Sequence, residues 1–181
     1  MLIHPQKSCL LVVDIQEKLA PAIHEKEMLI QNSKWLIEIA NILNITIMTS
    51  EQYPQGIGRT IDELKEILPK DQYMEKTHFS CMSEPTCHKK VHDSNLEQMV
   101  IIGMESHVCV MQTAIQLKQQ GLEVYVVADC VSSRNPSDKL YALERMRSCG
   151  IHIVTREMVA FEWMQKSGTE TFKRISKEYL R

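Results

Sequence analysis

The sequence predicts an α/β protein built on one doubly wound, mostly parallel sheet of six strands with helices on both faces. Three observations lead there. Apolar runs of strand length recur at 8–15, 45–49, 99–102, 123–128 and 151–155, with a weaker strand at 72–76. Stretches with apolar residues at three- and four-residue spacing separate them. The runs are apolar at consecutive rather than alternate positions, as in strands covered on both faces.

In chain order, 8–15 is the first strand, and Asp14 falls near its end. Residues 16–27 contain Pro21 and read as a loop. Residues 28–43 form a helix with Leu29, Trp35, Leu36, Ile39, Ala40 and Leu43 on one side, ended by Asn44. The strand at 45–49 is followed by a loop over 51–59, marked by one proline and two glycines. Residues 60–68 read as a short helix in which Thr60 and Glu63 form a capping box. After the strand at 72–76 come a loop over 78–85 and a short helix over 86–92. The run at 99–102 is broken by Gly103, turns through 104–108, and resumes as a helix from 110, with Cys109 at its start. Gly121 stops that helix. The strand at 123–128 ends at Asp129 and a polar loop, 132–136. A helix over 137–148 closes at Gly150, the last strand follows, and 159–163 and 169–180 are helical.

Residues 1–181 read as a single domain without linker or repeat. With 44% apolar and 24% charged residues, the composition is that of a water-soluble globular protein. The net charge of −2 and the lack of a basic run argue against nucleic acid as a partner. No apolar run approaches membrane-spanning length, and the N-terminal stretch lacks a signal-peptide cleavage site. Six cysteines without paired spacing point to a reducing, cytoplasmic setting.

Asp14, Lys76 and Cys109 each stand at or just past the carboxyl end of a predicted strand, the edge where open α/β sheets hold ligands. The chemistry is coherent. Cys109, at a helix start, meets the positive end of the helix dipole and free backbone N–H groups, which favour thiolate and offer oxyanion donors. Asp14 can take the thiol proton and return it to a leaving amine. Lys76 keeps the site positive and Asp14 ionised. A thiol reagent is therefore expected to reach Cys109 first. The remaining readings are that Cys109 is a buried filler and that the fold serves as a non-catalytic binding protein or scaffold.

Across most of its length the chain resembles the isochorismatase-like cysteine hydrolase superfamily, in the branch of isochorismatase domain-containing hydrolases. The resemblance rests on LLVVDIQ at 10–16, EKTHFS at 75–80, GMESHVCVMQTA at 103–114, VADCVSSRNP at 127–136, ALERM at 142–146 and IVTREMVAFEW at 153–163. It implies a three-layer α/β/α sandwich and an Asp–Lys–Cys triad falling on Asp14, Lys76 and Cys109. It also implies a cis peptide at Met104–Glu105, oxyanion donors at the Val108 and Cys109 N–H groups, and a homo-oligomer, dimer or higher. Two departures narrow the chemistry. Metal-dependent nicotinamidases of the superfamily carry an Asp-x-His set where this chain reads Ser50–Glu51–Gln52–Tyr53, so no metal or cofactor is expected. Members acting on isochorismate often lack the cysteine, which this chain has. The implied reaction is hydrolysis of a small carbon–nitrogen bond through a thioester, with hydrolysis of an ether-type bond as the alternative.

Other residues carry weaker signals. Gln16, Tyr53, Phe79 and His107 are candidate pocket residues for a small-molecule substrate, and Glu105 is expected to fix the turn. Cys81 borders the pocket in this reading. Cys87, His88 and His92 are a metal-like cluster better explained as loop residues. Residues 132–134 and the segment 158–163 are candidates for a subunit contact.

Overall fold

The structure, a computed structural model, describes residues 1–180. Its core is β1 (Ser8–Val13), buried at every position. The chain runs outward from β1 through helix α1 (Lys26–Ile42), β2 (Thr46–Gln52), the one-turn helices α2 (Pro54–Ile57) and α3 (Asp62–Lys65), and β3 (Tyr73–Lys76). It then returns through α4 (Pro85–Asp93) to lay β4 (Gln98–Met104) on the other flank of β1. A π-helical turn at Ser106–Val110 leads into α5 (Met111–Gln119). β5 (Glu123–Ser132), α6 (Pro136–Ser148), β6 (His152–Val154), α7 (Arg156–Met164) and α8 (Glu170–Tyr179) complete the chain. The six strands lie in the order β3-β2-β1-β4-β5-β6, all parallel.

Alternate side chains of each strand feed opposite layers. Leu10 and Val12 join Leu36, Ile37 and Ala40 of α1 and Trp163 of α7. Cys9, Leu11 and Val13 join Val91 of α4, Ala114 and Leu117 of α5 and Met146 of α6. The result is a three-layer α/β/α sandwich. The strand order reverses between β1 and β4, and their carboxyl ends open the crevice where such folds place ligands.

Gly103 lets those two strands approach. Its φ is +123°, and a Cβ there would sit 2.0 Å from the Val13 carbonyl oxygen. Gly103→Ala is expected to cost about 2–4 kcal/mol, from backbone strain together with overpacking, read as a lower urea midpoint with an unchanged m-value.

Several sequence readings shift. β5 does not stop at 128: Ile101 pairs with Val126 while Gly103 pairs with Val131, so β5 bulges and resumes pairing through Ser132. The strand resumes because Cys130 and Val131 are again buried. The helix read at 60–68 shrinks to one turn without a side-chain cap. Thr60 instead gives its N–H and hydroxyl to the Glu51 carboxylate, both at 2.8 Å. A buried carboxylate has the stronger need for donors than an exposed helix end. In 158–163, Trp163 is interior, its indole N–H donating to Ser8 Oγ at 2.9 Å, while Met158 and Phe161 remain exposed.

Candidate active site

The crevice gathers Asp14, Lys76 and Cys109. Asp14 follows β1 directly. Its backbone is left-handed (φ 51°), a conformation aspartate tolerates, and its N–H donates to the Ser50 carbonyl at 3.1 Å. The side chain is fully buried and takes two donors: Lys76 Nζ on Oδ2 and Ser50 Oγ on Oδ1, each at 2.7 Å. Lys76 ends β3, with its side chain completely inside. Its ammonium has four acceptors in reach: Gln52 Oε1 at 2.6 Å, Asp14 Oδ2 at 2.7 Å, Phe79 O at 3.0 Å and His78 O at 3.3 Å. Burial pulls the Lys76 pKa down, but the charge of the Asp14 carboxylate and its hydrogen bond outweigh it, and the net direction is up. The lysine is therefore a fixed cation at neutral pH.

Cys109 sits in the π turn, 5% exposed, with Sγ 3.9 Å from Gln52 Oε1. Here the structure corrects the sequence reading of a favoured thiolate. Burial pushes the thiol pKa up, the Asp14 carboxylate pushes it further, and Lys76 offsets only part of this. These influences favour thiol over thiolate. The order of labelling is corrected as well. Cys149, just past α6, is the exposed thiol, while the other five are buried. Limiting iodoacetamide at neutral pH is expected to alkylate Cys149 before Cys109, as judged by peptide mass.

The surrounding residues divide. The Met104–Glu105 peptide is cis. Glu105 Oε2 accepts from the Arg134 N–H at 3.1 Å and from Arg134 Nε at 3.0 Å, which fixes the turn. Val108 is a correction: its N–H donates to the Glu105 carbonyl at 3.1 Å, so in this geometry it is not a free oxyanion donor. His107 Nδ1 pairs with Ser133 Oγ at 2.9 Å, tying the turn to the segment before α6. Gln16 is not a pocket wall. It is fully buried and clamps both backbone groups of Gln52, accepting from the N–H at 2.7 Å and donating to the carbonyl at 3.0 Å. Tyr53 is half exposed and lines a small cavity of about 170 Å³ with Glu75, Thr77 and Glu84. Phe79 is also half exposed and meets Lys76 through its carbonyl.

Sequence reasoning missed Ser50 and Gln52. Both lie in the last three residues of a buried strand, near the signal that singles out Asp14, but the apolar pattern stops at 49. Cys81 is fully buried. Its N–H donates to Thr113 Oγ1 at 3.0 Å, and its thiol feels both Asp14 and Lys76. Cys87 is buried in the core, and His88 and His92 stack on one another. Among the described residues, no three His, Cys, Asp or Glu side chains gather closely enough to hold a metal ion.

A parallel three-layer sandwich with polar side chains packed at its switch point has the architecture of the isochorismatase-like class of α/β hydrolases. The isochorismatase domain family matches residues 8–158, and the chain belongs to that family and is a hydrolase of it. Isochorismatase family protein 1A of Dictyostelium discoideum is 38% identical over 175 residues, covering 94% of this chain and 85% of that protein. A Caenorhabditis elegans structure described as MAR1 ribonuclease superposes with a TM-score of 0.92 at 36% identity, covering 100% of this chain and 93% of that one. The Escherichia coli YcaC gene product, described as an octameric hydrolase of unknown specificity, shares the fold with a TM-score of 0.88 at 24% identity, covering 92% of this chain and 83% of that one.

Proposed function

We propose that the chain is a metal-independent cysteine hydrolase cleaving the carbon–nitrogen bond of a small, uncharged amide. The observation that carries this reading is the clustering of a buried carboxylate, ammonium and thiol at neighbouring strand ends, with Gln52 Oε1 lying 2.6 Å from Lys76 Nζ and 3.9 Å from Cys109 Sγ. In the proposed cycle the Cys109 proton passes to Asp14 as Sγ bonds the amide carbon. The carbon–nitrogen bond then breaks, with the proton going from Asp14 to the leaving amine. Water next attacks the thioester, giving one proton to Asp14, and that proton returns to sulfur as the acid leaves. Lys76 holds the Asp14 carboxylate in place between these transfers, with Nζ 2.7 Å from Oδ2.

Charge pairing supports an uncharged substrate. Lys76 is matched by Asp14, Arg59 by Glu51 and Glu75, and Arg134 by Glu105. A multiply anionic substrate such as isochorismate calls for unmatched cations at its site. The test is a panel of small primary amides assayed for ammonia release, run beside anionic vinyl ethers and single-stranded RNA. Release confined to uncharged amides supports the reading, and turnover confined to either of the other substrates overturns it.

The same reading takes the enzyme to be a homo-oligomer, in line with the octamer described for the E. coli protein. Leu140 and Tyr141 on α6, with Met158 and Phe161 on α7, are exposed apolar side chains available for a subunit contact. Light scattering at micromolar concentration decides this point, and a monomer mass would overturn it. Among the described residues no helix is long and apolar enough to cross a membrane. The six unpaired cysteines support a reducing, cytoplasmic setting.

A further inference from the structure

Gln52 occupies a position that the proposed cycle leaves unused. It ends β2, is 8% exposed and is held from three directions. Gln16 takes both of its backbone groups. Its own Nε2 donates to the Thr77 carbonyl at 2.8 Å. The amide therefore cannot turn over without losing that bond. Lys76, which only donates, lies 2.6 Å from the other end of the amide, so that end is the oxygen. The same oxygen is the acceptor within reach of the Cys109 sulfur, at 3.9 Å. One carbonyl dipole thus faces both the reacting sulfur and the ammonium beside it.

An acceptor facing sulfur stabilises S–H and opposes S⁻. An acceptor on Lys76 also occupies one of only three ammonium N–H groups. Asp14 and the Phe79 carbonyl compete for the others, so the sulfur shares the ammonium with three oxygen acceptors. The charged and titratable groups facing the thiol are Asp14 from the end of β1 and Lys76 from β3, and the Cys81 thiol faces the same pair.

We propose that Gln52 is a positioning residue that keeps Cys109 a thiol until substrate arrives. Its amide oxygen competes with Asp14 for the S–H and with the sulfur for one Lys76 N–H, so the nucleophile forms when the proton moves to Asp14 and the Gln52 contact is given up. The consequence is a site protected from stray electrophiles, because the resting sulfur carries little thiolate. This rests on the reading of Cys109 as the nucleophile. Its test is nevertheless independent of turnover, so the two can fail separately.

The experiment follows alkylation of Cys109 by iodoacetamide from about pH 6 to about pH 10, read by peptide mass in a Cys149→Ser background. In the parent protein the rate rises only in the alkaline range. Gln52→Leu removes the acceptor and frees a Lys76 N–H. Its alkylation should run roughly tenfold faster than the parent's at each pH in this range, the equivalent of about one unit in the thiol pKa. Gln52→Glu keeps the shape but adds a negative charge, and should move the midpoint up and slow alkylation. Opposite shifts support the proposal, because a merely structural role would loosen the site and speed labelling in both variants. Shifts in the same direction, or none, overturn it. If the leucine variant does not fold, Gln52→Met takes its place: faster alkylation of Cys109 than in the parent supports the proposal, and an unchanged or slower rate overturns it. Failure of the amide-hydrolase reading would appear elsewhere, as turnover surviving in Cys109→Ala.

Discussion

Replacing Cys109 by alanine is expected to lower amide turnover by at least about a thousandfold, or about 4 kcal/mol of transition-state stabilisation, with little change in stability. The reaction as proposed passes through a bond to sulfur, and Asp14, Lys76 and the turn cannot replace that atom. Sulfur removal leaves a small void beside Val110 and Ala114, in a layer where both are fully buried. The measurement is ammonia release by the two proteins at matched concentration, with urea melts as the control for folding. Mass spectrometry of the parent protein quenched during turnover should show an acyl adduct on the peptide carrying Cys109. Turnover retained in the alanine variant would instead place the chemistry on Asp14 acting directly as an acid or base, as ether-type hydrolysis would.

Lys76→Met is expected to remove both activity and about 3–5 kcal/mol of stability. The substitution leaves the Asp14 carboxylate fully buried, with the Ser50 hydroxyl as its remaining side-chain donor. Breaking one side of a buried pair strands the other charge, whereas removing both does not. The double variant Asp14→Asn with Lys76→Met should therefore recover most of the lost stability while remaining inactive. Asparagine also accepts the left-handed backbone of residue 14. The pH dependence follows from the direction of the lysine shift. A folded pKa raised above the unfolded value means that the lysine's contribution is complete below about pH 10 and is lost as pH climbs through the folded value. The parent's advantage over the single variant should hold at neutral pH and shrink only in strong alkali. Urea midpoints at neutral and alkaline pH measure this. A single variant as stable as the double variant at neutral pH would show that the pair is not coupled.

The legible parts of the site were those where chemistry interrupts a strong local pattern. Asp14 interrupts an apolar strand, and Cys109 stands where strand spacing gives way to helix spacing. The parts that misled were those where a long-range partner outweighs local preference. Thr60 looked like a helix cap, but it faces the buried Glu51 carboxylate, which no local rule could place beside it. Gln16 looked like a pocket residue because it follows Asp14 by two, yet its amide is consumed by Gln52 and Gly58. His107 commits one of its two ring nitrogens, Nδ1, to Ser133. The end of β5 was invisible because its bulge carries Ala128 and Asp129 before pairing resumes at Val131.

The sequence by itself determined the layered fold, the strand ends that meet at one crevice, and the residue types available there. Periodicity and chain-end chemistry are local properties, and a local pattern repeated along the chain is enough to select an architecture. The tertiary structure decided the balance between thiol and thiolate. The direction in which Cys109 is pushed depends on how deeply it is buried, on the Asp14 carboxylate beside it, and on how much of this Lys76 offsets. Each of those is set by residues dozens of positions away along the chain. Electrostatic energy depends on distance in space, and distance along the chain does not reveal it.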